Sequence, residues 1–351
     1  MKKHLFIFSL AMAALAANAQ TKQPATITTY KPADLETVLY CVSENGKYAA
    51  GDFGGVALLD LETGEKEVHL YESPVGGESA GVTAKGVTND GTIVGTFGYD
   101  ISSPGAILKK GSDEWEYLPV PECCGNTEYC PQGVTPDGKY IAGYASSITE
   151  GMYVPVIWTL QDDGSYTAEV IAHPTEDLMG LKPQMAILYG ISNDGTRAYG
   201  ILRDFTGFYS LGVIYKKDAN GAWTYQTVGQ DWLVKDESKK PGAYPVYEDY
   251  VTAEAGTPEW YEQDANYAYA IMDWNAALNE YVYTGTSPSQ QILVNQNSIS
   301  GNGKYMVMST PDDARRYNTE DGTFIALPGT SGQVTTGITN NGDVLMASPI
   351  G

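Results

Sequence analysis

Hydrophobic and polar positions along this chain fall into short runs cut by turn residues, with no long helical period through most of its length. One five-position frame recurs: Val or Ile, then Ser or Thr, a free position, Asn or Asp, and Gly. It occurs at Val42-Ser-Glu-Asn-Gly46, Val87-Thr-Asn-Asp-Gly91, Val134-Thr-Pro-Asp-Gly138, Ile191-Ser-Asn-Asp-Gly195, Ile299-Ser-Gly-Asn-Gly303 and Ile338-Thr-Asn-Asn-Gly342. A β-branched residue ends a strand, the hydroxyl opens a turn, and Asn-Gly or Asp-Gly supplies the backbone positions that tight hairpin loops demand. The residue after each glycine is polar. The third after it (Ala49, Val94, Ile141, Ala198, Met306, Leu345) is apolar, as expected of an inward position on the returning strand.

A second hairpin follows the first in each unit. It reads Gly55–Leu59 with Val68–Tyr71, Gly105–Leu108 with Trp115–Val120, and Tyr153–Trp158 with Tyr166–Ile171. Later units give Leu211–Tyr215 with Trp223–Val228, and Arg316–Thr319 with Phe324–Leu327. Successive turn glycines are 45, 47, 57, 108 and 39 residues apart. A period near 40–50 with four short strands predicts an all-β chain, a β-propeller of four-stranded blades. The 108-residue gap is about two units long. Ala268–Met272 and Glu280–Tyr283 inside it align with third and fourth strands, which predicts a degenerate blade and seven blades in all. The competing reading is a helix capped by Thr257, with Pro258 first and Tyr267, Ile271, Trp274 and Leu278 on one face. Thr26–Tyr30 resembles a fourth strand that closes the ring with the last repeat. That last blade lacks a third strand, so the sequence is expected to be truncated at its C-terminus.

The run Thr135-Pro-Asp-Gly-Lys-Tyr-Ile-Ala142 resembles the repeats of Tol-system and WD-like bacterial propellers. The Gly133…Gly143 frame with Val156-Ile-Trp158 also resembles HAF-type extracellular repeats. The resemblance runs along nearly the whole chain but only through turn and strand positions. It implies a propeller and a binding role, with no shared catalytic set. Ser192-Asn-Asp-Gly195 lacks the spacing and the Trp of sialidase-type Asp turns, so that activity does not follow.

Composition changes the picture at the ends and on the surface. Lys2 and Lys3, the apolar stretch Leu5–Ala17 and Ala17-Asn-Ala19 read as a secretory signal peptide at 1–19, leaving a propeller domain at 20–351. Export places the protein in the periplasm or at the cell surface of a bacterium, and no later stretch approaches a membrane span. The chain carries 43 acidic against 21 basic residues, a formal net charge of −22. Such a surface repels nucleic acid and anionic membranes, so neither nucleic-acid binding nor membrane insertion is expected. Its partners are then glycans, cations or basic protein patches. Cys41, Cys123, Cys124 and Cys130 are too few for a disulfide scaffold. Cys123 or Cys124 with Cys130 closes a small loop, the expected disulfide. Free thiols and a soft-metal site are the alternatives, the latter weakened by the lack of a nearby histidine.

Reactive motifs are scarce. His69 and His173 follow predicted fourth strands without a metal-type partner, and no nucleophile elbow, phosphate loop or zinc motif occurs. The turns offer too few oxygens for calcium. No cofactor and no metal are expected. The unusual stretch is 231–283, with eleven acidic residues, three basic ones and eleven Tyr or Trp. Aromatic faces stack on sugars and anchor protein interfaces, and carboxylates accept hydrogen bonds from hydroxyls. Trp232, Tyr244, Tyr247, Tyr250, Trp260 and Tyr261 are therefore the candidate ligand-binding residues; the competing assignment is packing of a degenerate blade. The expectation is a non-catalytic binding or scaffold propeller for a glycan or an exported protein partner, with its ligand at the channel mouth. The alternative is a glycan hydrolase or lyase using acidic residues in the channel.

Overall fold

A computed structural model describes residues 38–52, 55–69, 83–96, 104–148, 150–175, 183–203, 210–229, 242–281, 296–309, 314–330 and 334–347. All of them belong to one compact unit, Thr37–Gly351. The expected signal peptide, the Thr26–Tyr30 strand and Trp232 lie outside the described residues.

Each copy of the frame is a hairpin turn. Between β1 (Val38–Val42) and β2 (Tyr48–Asp52), the Gly46 N–H donates to the Ser43 carbonyl at 2.9 Å. The Ser43 hydroxyl donates to Asn45 Oδ1 at 2.7 Å and accepts from the Tyr48 N–H at 2.9 Å. Asn45 Oδ1 also accepts from the Lys47 N–H at 3.0 Å. Thr135 with Asp137, Ser192 with Asp194, and Ser300 with Asn302 repeat the pattern. Only a short hydroxyl beside a short carboxylate or amide closes such a network. The six frame glycines hold φ between 67° and 87°, the left-handed region that other residues avoid.

The hairpins assemble into meander sheets. β1 and β2 continue through β3 (Val56–Asp60) to β4 (Lys66–His69) in a four-stranded sheet. The next contains β5 (Thr83–Val87), β6 (Ile93–Thr96), β7 (Gly105–Leu108) and β8 (Trp115–Tyr117). The third repeat has β9 (Cys124–Val134), β10 (Tyr140–Ser147), β11 (Met152–Leu160) and β12 (Tyr166–Val170). The fourth has β13 (Met185–Ile191), β14 (Arg197–Arg203), β15 (Ser210–Lys217) and β16 (Trp223–Val228). These last two join into one eight-stranded sheet through a parallel bridge between Tyr153 and Met185. The fifth repeat supplies β17 (Tyr305–Ser309), β18 (Ala314–Asn318) and β19 (Phe324–Leu327), with Ile299 bridged to Met306. The sixth supplies β20 (Val334–Ile338) and β21 (Val344–Ala347). The chain is thus mostly β.

Neighbouring turns bond to each other through the position that sequence leaves free. Asn45 donates its N–H to Asn89 Oδ1 (2.9 Å) and its side-chain amide to the Asn89 carbonyl (3.1 Å). Asn302 does the same to Asn340, at 2.8 and 3.1 Å. The Asn89 N–H donates to Pro136, and the Asn193 N–H to Gly301, both at 2.8 Å. The inward residues Ala49, Val94, Ile141, Ala198 and Met306 are buried as expected. Leu345 is the exception at 58% exposed, because no third strand covers β21 among the described residues.

The degenerate-blade reading is corrected inside the 108-residue gap. Ala268–Met272 lies inside a helix, not a strand. α1 (Tyr247–Tyr250) precedes α2 (Pro258–Tyr281). The Thr257 hydroxyl caps α2 by accepting from the Trp260 N–H at 3.2 Å, and Pro258 takes the first position, where its missing N–H costs nothing. Tyr267, Ile271 and Trp274 share the inner face, with Ile271 buried. Repeats four and five meet directly: besides the Asn193–Gly301 bond, Glu320 pairs with Arg197 (2.7 Å) and with Lys216.

The cysteines are all free thiols, where a bridge from Cys123 or Cys124 to Cys130 was expected. The register opposes Cys130 to Tyr144 and Cys124 to Ser147, three positions apart along β10, or about 10 Å. A disulfide needs Cα atoms within about 7 Å.

Candidate functional site

The turns of all six repeats surround a cavity of about 70 Å3, lined by Glu44, Thr135, Asn193, Asn297 and their apolar neighbours. That is room for about two waters at ~30 Å3 each. The ligand was expected at the channel mouth; this cavity among the turns is smaller than a sugar ring.

A larger cavity, of about 490 Å3, opens elsewhere. It falls in the ~300–1,000 Å3 range usual for small-molecule sites. One wall comes from the long third repeat. β10 and β11 outrun the strands of the first two repeats, and their turn closes with the Gly151 N–H on the Ser147 carbonyl (3.0 Å) and the Glu150 N–H on Ser147 Oγ (3.2 Å). This turn brings Glu150 and Met152 to the cavity, and the Tyr153–Met185 bridge sets Gln184 beside them. The opposite wall is the insertion, through Tyr244, Tyr247, Glu248 and Tyr267.

The aromatic wall is built ring on ring. Tyr244 meets Trp274 edge-on at 5.0 Å, and Tyr247 meets Tyr267 edge-on at 4.9 Å, the geometry aromatic quadrupoles prefer. Trp274 Nε1 donates to the Gly242 carbonyl (2.9 Å), and the Tyr247 hydroxyl donates to Asp264 (3.0 Å). Desolvation and the Asp264 carboxylate hold the Tyr247 hydroxyl above the ordinary phenol range. The buried Gln184 side-chain amide donates to the Tyr244 hydroxyl and ties the insertion to the sheet.

Glu150 is fixed as well. His173, after β12, places Nε2 2.8 Å from Glu150 and Nδ1 3.1 Å from the Ile171 carbonyl. The ring thus bridges the Ile171 carbonyl and the Glu150 carboxylate and stands behind that carboxylate. Nearby, Glu128 accepts from the Tyr153 hydroxyl at 2.9 Å, and burial with that bond pushes the Tyr153 phenol up to about 12. Burial pushes the Cys130 thiol up to about 11, which keeps it protonated and unreactive. Among the described residues no group of three or more His, Cys, Asp or Glu could hold a metal ion.

Of the sequence-predicted residues, Tyr244 and Tyr247 line the cavity. Tyr250 packs against Tyr267 at 5.8 Å, and Trp260 against Tyr261 at 5.0 Å, outside it. Tyr261 is 63% exposed. Glu150, Gln184 and Tyr267 were missed. The arrangement sets aromatic rings and two carboxylates, Glu150 with His173 behind it and Glu248, around one groove.

No family model matches the chain, and no curated protein does. Among solved structures the chain is similar to TolB proteins and an oligogalacturonate lyase, among others. TolB from Acinetobacter baumannii is 14% identical with a TM-score of 0.45; the match covers 84% of this chain and 55% of that one. Oligogalacturonate lyase from Vibrio parahaemolyticus is 12% identical with a TM-score of 0.34, covering 83% and 79%. Prolyl oligopeptidase B from Galerina marginata is 11% identical with a TM-score of 0.39, covering 86% and 37%. No functional step rests on likenesses this distant. Among the described residues no helix is long and apolar enough to cross a membrane.

Proposed function

We propose that this chain is an exported β-propeller of six repeats that binds a neutral glycan in the groove between its third and fourth repeats and the helical insertion. The observation that carries the reading is the convergence of Tyr244, Tyr247, Glu150 and Glu248 on one cavity of about 490 Å3. Stacking on the rings and hydrogen bonds to the carboxylates are complementary to the two kinds of surface a sugar presents. The six-repeat ring is supported by the turn-to-turn bonds and by the direct contact of repeats four and five.

A second reading, a glycan hydrolase or lyase, is favoured by one feature: two carboxylates share the groove, and His173 is held on one of them. The test is a glycan array on the purified protein, beside Tyr247→Ala, Tyr244→Ala and Glu150→Gln variants. Saturable binding that weakens about 30-fold on loss of one anchoring ring, near 2 kcal/mol, is expected. Product release from a bound glycan, abolished in Glu150→Gln, would establish the enzyme instead. Absence of binding to every glycan, with the variants folded, would overturn both readings.

A further inference from the structure

α2 carries a second apolar stripe on its outward side. Its inner face, through Trp260, Tyr267, Ile271 and Trp274, packs toward the rest of the unit. Roughly a third of a turn round the helix, Tyr261, Ala265, Ala268, Tyr269 and Met272 follow at i, i+4, i+7, i+8 and i+11, which is one line along a helix of 3.6 residues per turn. Tyr261, Tyr269 and Met272 are 63%, 65% and 62% exposed. A soluble helix ordinarily sets its polar residues at the centre of the face opposite its core. Here the polar residues, Glu259, Glu262 and Asp273, stand beside the apolar line and are exposed. No Lys, Arg or His occurs between Gly242 and Gly303.

We infer that this outward stripe of α2 docks the apolar face of a basic amphipathic helix from a partner protein. The anchors span eleven residues, about 16 Å at 1.5 Å per residue, the length of a three-turn helix. Ala265 and Ala268 leave a low centre between the larger side chains, and ridges of a second helix seat in such a hollow. Charge selects the occupant. A second copy brings the same acids against these acids, in a chain of net charge −22. An anionic bilayer is repelled for the same reason. A helix with lysines or arginines beside its apolar face meets both the stripe and its acidic margin, and its cations can also lie over the exposed tyrosine rings. The inference is independent of what fills the groove.

The probe is an 18-residue leucine–lysine peptide in amphipathic helical order, labelled for fluorescence anisotropy and titrated with the purified full chain. A scrambled peptide of the same composition is the control. The ordered peptide is expected to bind at least 10-fold tighter than the scrambled one, with affinity falling as salt rises. A Tyr261→Ala/Tyr269→Ala/Met272→Ala variant and a Glu259→Lys/Glu262→Lys variant are each expected to weaken it about 10-fold. These positions are exposed, and unchanged circular dichroism confirms that the variants fold. Asp162→Lys/Asp163→Lys, on the remote β11–β12 turn, is expected to leave binding unchanged. Equal binding of both peptides, or equal loss with the remote reversal, would reduce the effect to net charge and overturn the inference. Self-association in sedimentation, or partition onto phosphatidylcholine vesicles, either one abolished by the triple substitution, would assign the stripe to another occupant and overturn it too.

Discussion

Gly46 and Gly195 occupy the same position of the same turn, at the same φ of 69°, yet substitution by alanine should cost very different amounts. At Gly46 an added Cβ meets nothing within 4 Å. The whole penalty there is the left-handed backbone of a non-glycine residue, about 1 kcal/mol after the gain from a stiffer unfolded chain. At Gly195 the same Cβ would lie 2.4 Å from Tyr140 Cζ and 2.7 Å from two further ring carbons. Tyr140 comes from β10 of the preceding repeat, so the ring must shift against the turn that packs on it. Overpacking of this kind adds about 1–3 kcal/mol, giving a total of roughly 2–4 kcal/mol. Urea unfolding of Gly46→Ala and Gly195→Ala, followed by intrinsic fluorescence and compared at constant slope, measures both. Equal destabilisation would show that the turn conformation alone sets the glycine requirement, and that the packing between repeats is not what the structure shows.

The choice of Asn or Asp beside that glycine is testable in the same assay. Asn45→Asp removes the amide that donates to Asn89 and sets a carboxylate against its carbonyl, and is expected to cost about 1–3 kcal/mol. Asp194→Asn should fold normally at pH 7, since Asn45 and Asn302 serve the same turn. Burial alone would raise the Asp194 carboxyl, but the Ser192 hydroxyl and the Thr196 N–H outweigh it and hold the group below its ordinary value. A depressed carboxylate stabilises the fold above its unfolded value, about 3.9, and that contribution is lost as pH falls through the folded one. Acid unfolding monitored below pH 4 should therefore be less steep in Asp194→Asn; an unchanged acid limb would refute the assignment. Thr257→Ala should loosen the start of α2 by about 1 kcal/mol. Hydrogen exchange should then rise in the first turn of α2 and leave β10–β11 unaffected, and uniform exchange would contradict it.

The hairpins were legible because everything that specifies them is local. Hydroxyl, amide or carboxylate, and glycine sit within four residues, and the bonds that shape the turn, such as Ser43 to Asn45 and Gly46 to Ser43, close inside it. The insertion was misread because two periods overlap in it. Ala268-Tyr-Ala-Ile-Met272 alternates like a strand, while Tyr267, Ile271 and Trp274 repeat like a helix face. The absence of any Gly or Pro from Glu259 to Tyr281, with alanine at Ala265, Ala268, Ala270, Ala276 and Ala277, favours the helix on propensity. The groove was half legible. Tyr244 and Tyr247 stand out by composition, but Glu150 and Gln184 reach it from 94 and 60 residues before Tyr244. Nothing local marks either one; only the pairing of β11 with β13 brings them there.

The insertion sits where the repeats tolerate it. Repeats four and five bond to each other through Asn193 and Gly301 and through Glu320, although 108 residues separate their turn glycines. Closing a longer loop between two points already held together adds little, about 0.6 kcal/mol for each doubling of length. The chain between them was therefore free to lengthen without loosening the contact between the two repeats. Its aromatic residues meet a wall formed by the third repeat, whose strands outrun those of the first two repeats, and by Gln184 at the start of the fourth, which bonds Tyr244. The result is a groove with one side fixed by strand ladders and the other by ring contacts and a few hydrogen bonds. A ligand that bridged the two sides would stabilise the weaker one most, so on the proposed reading hydrogen exchange should slow more in the insertion than in β10–β11 when the groove is filled.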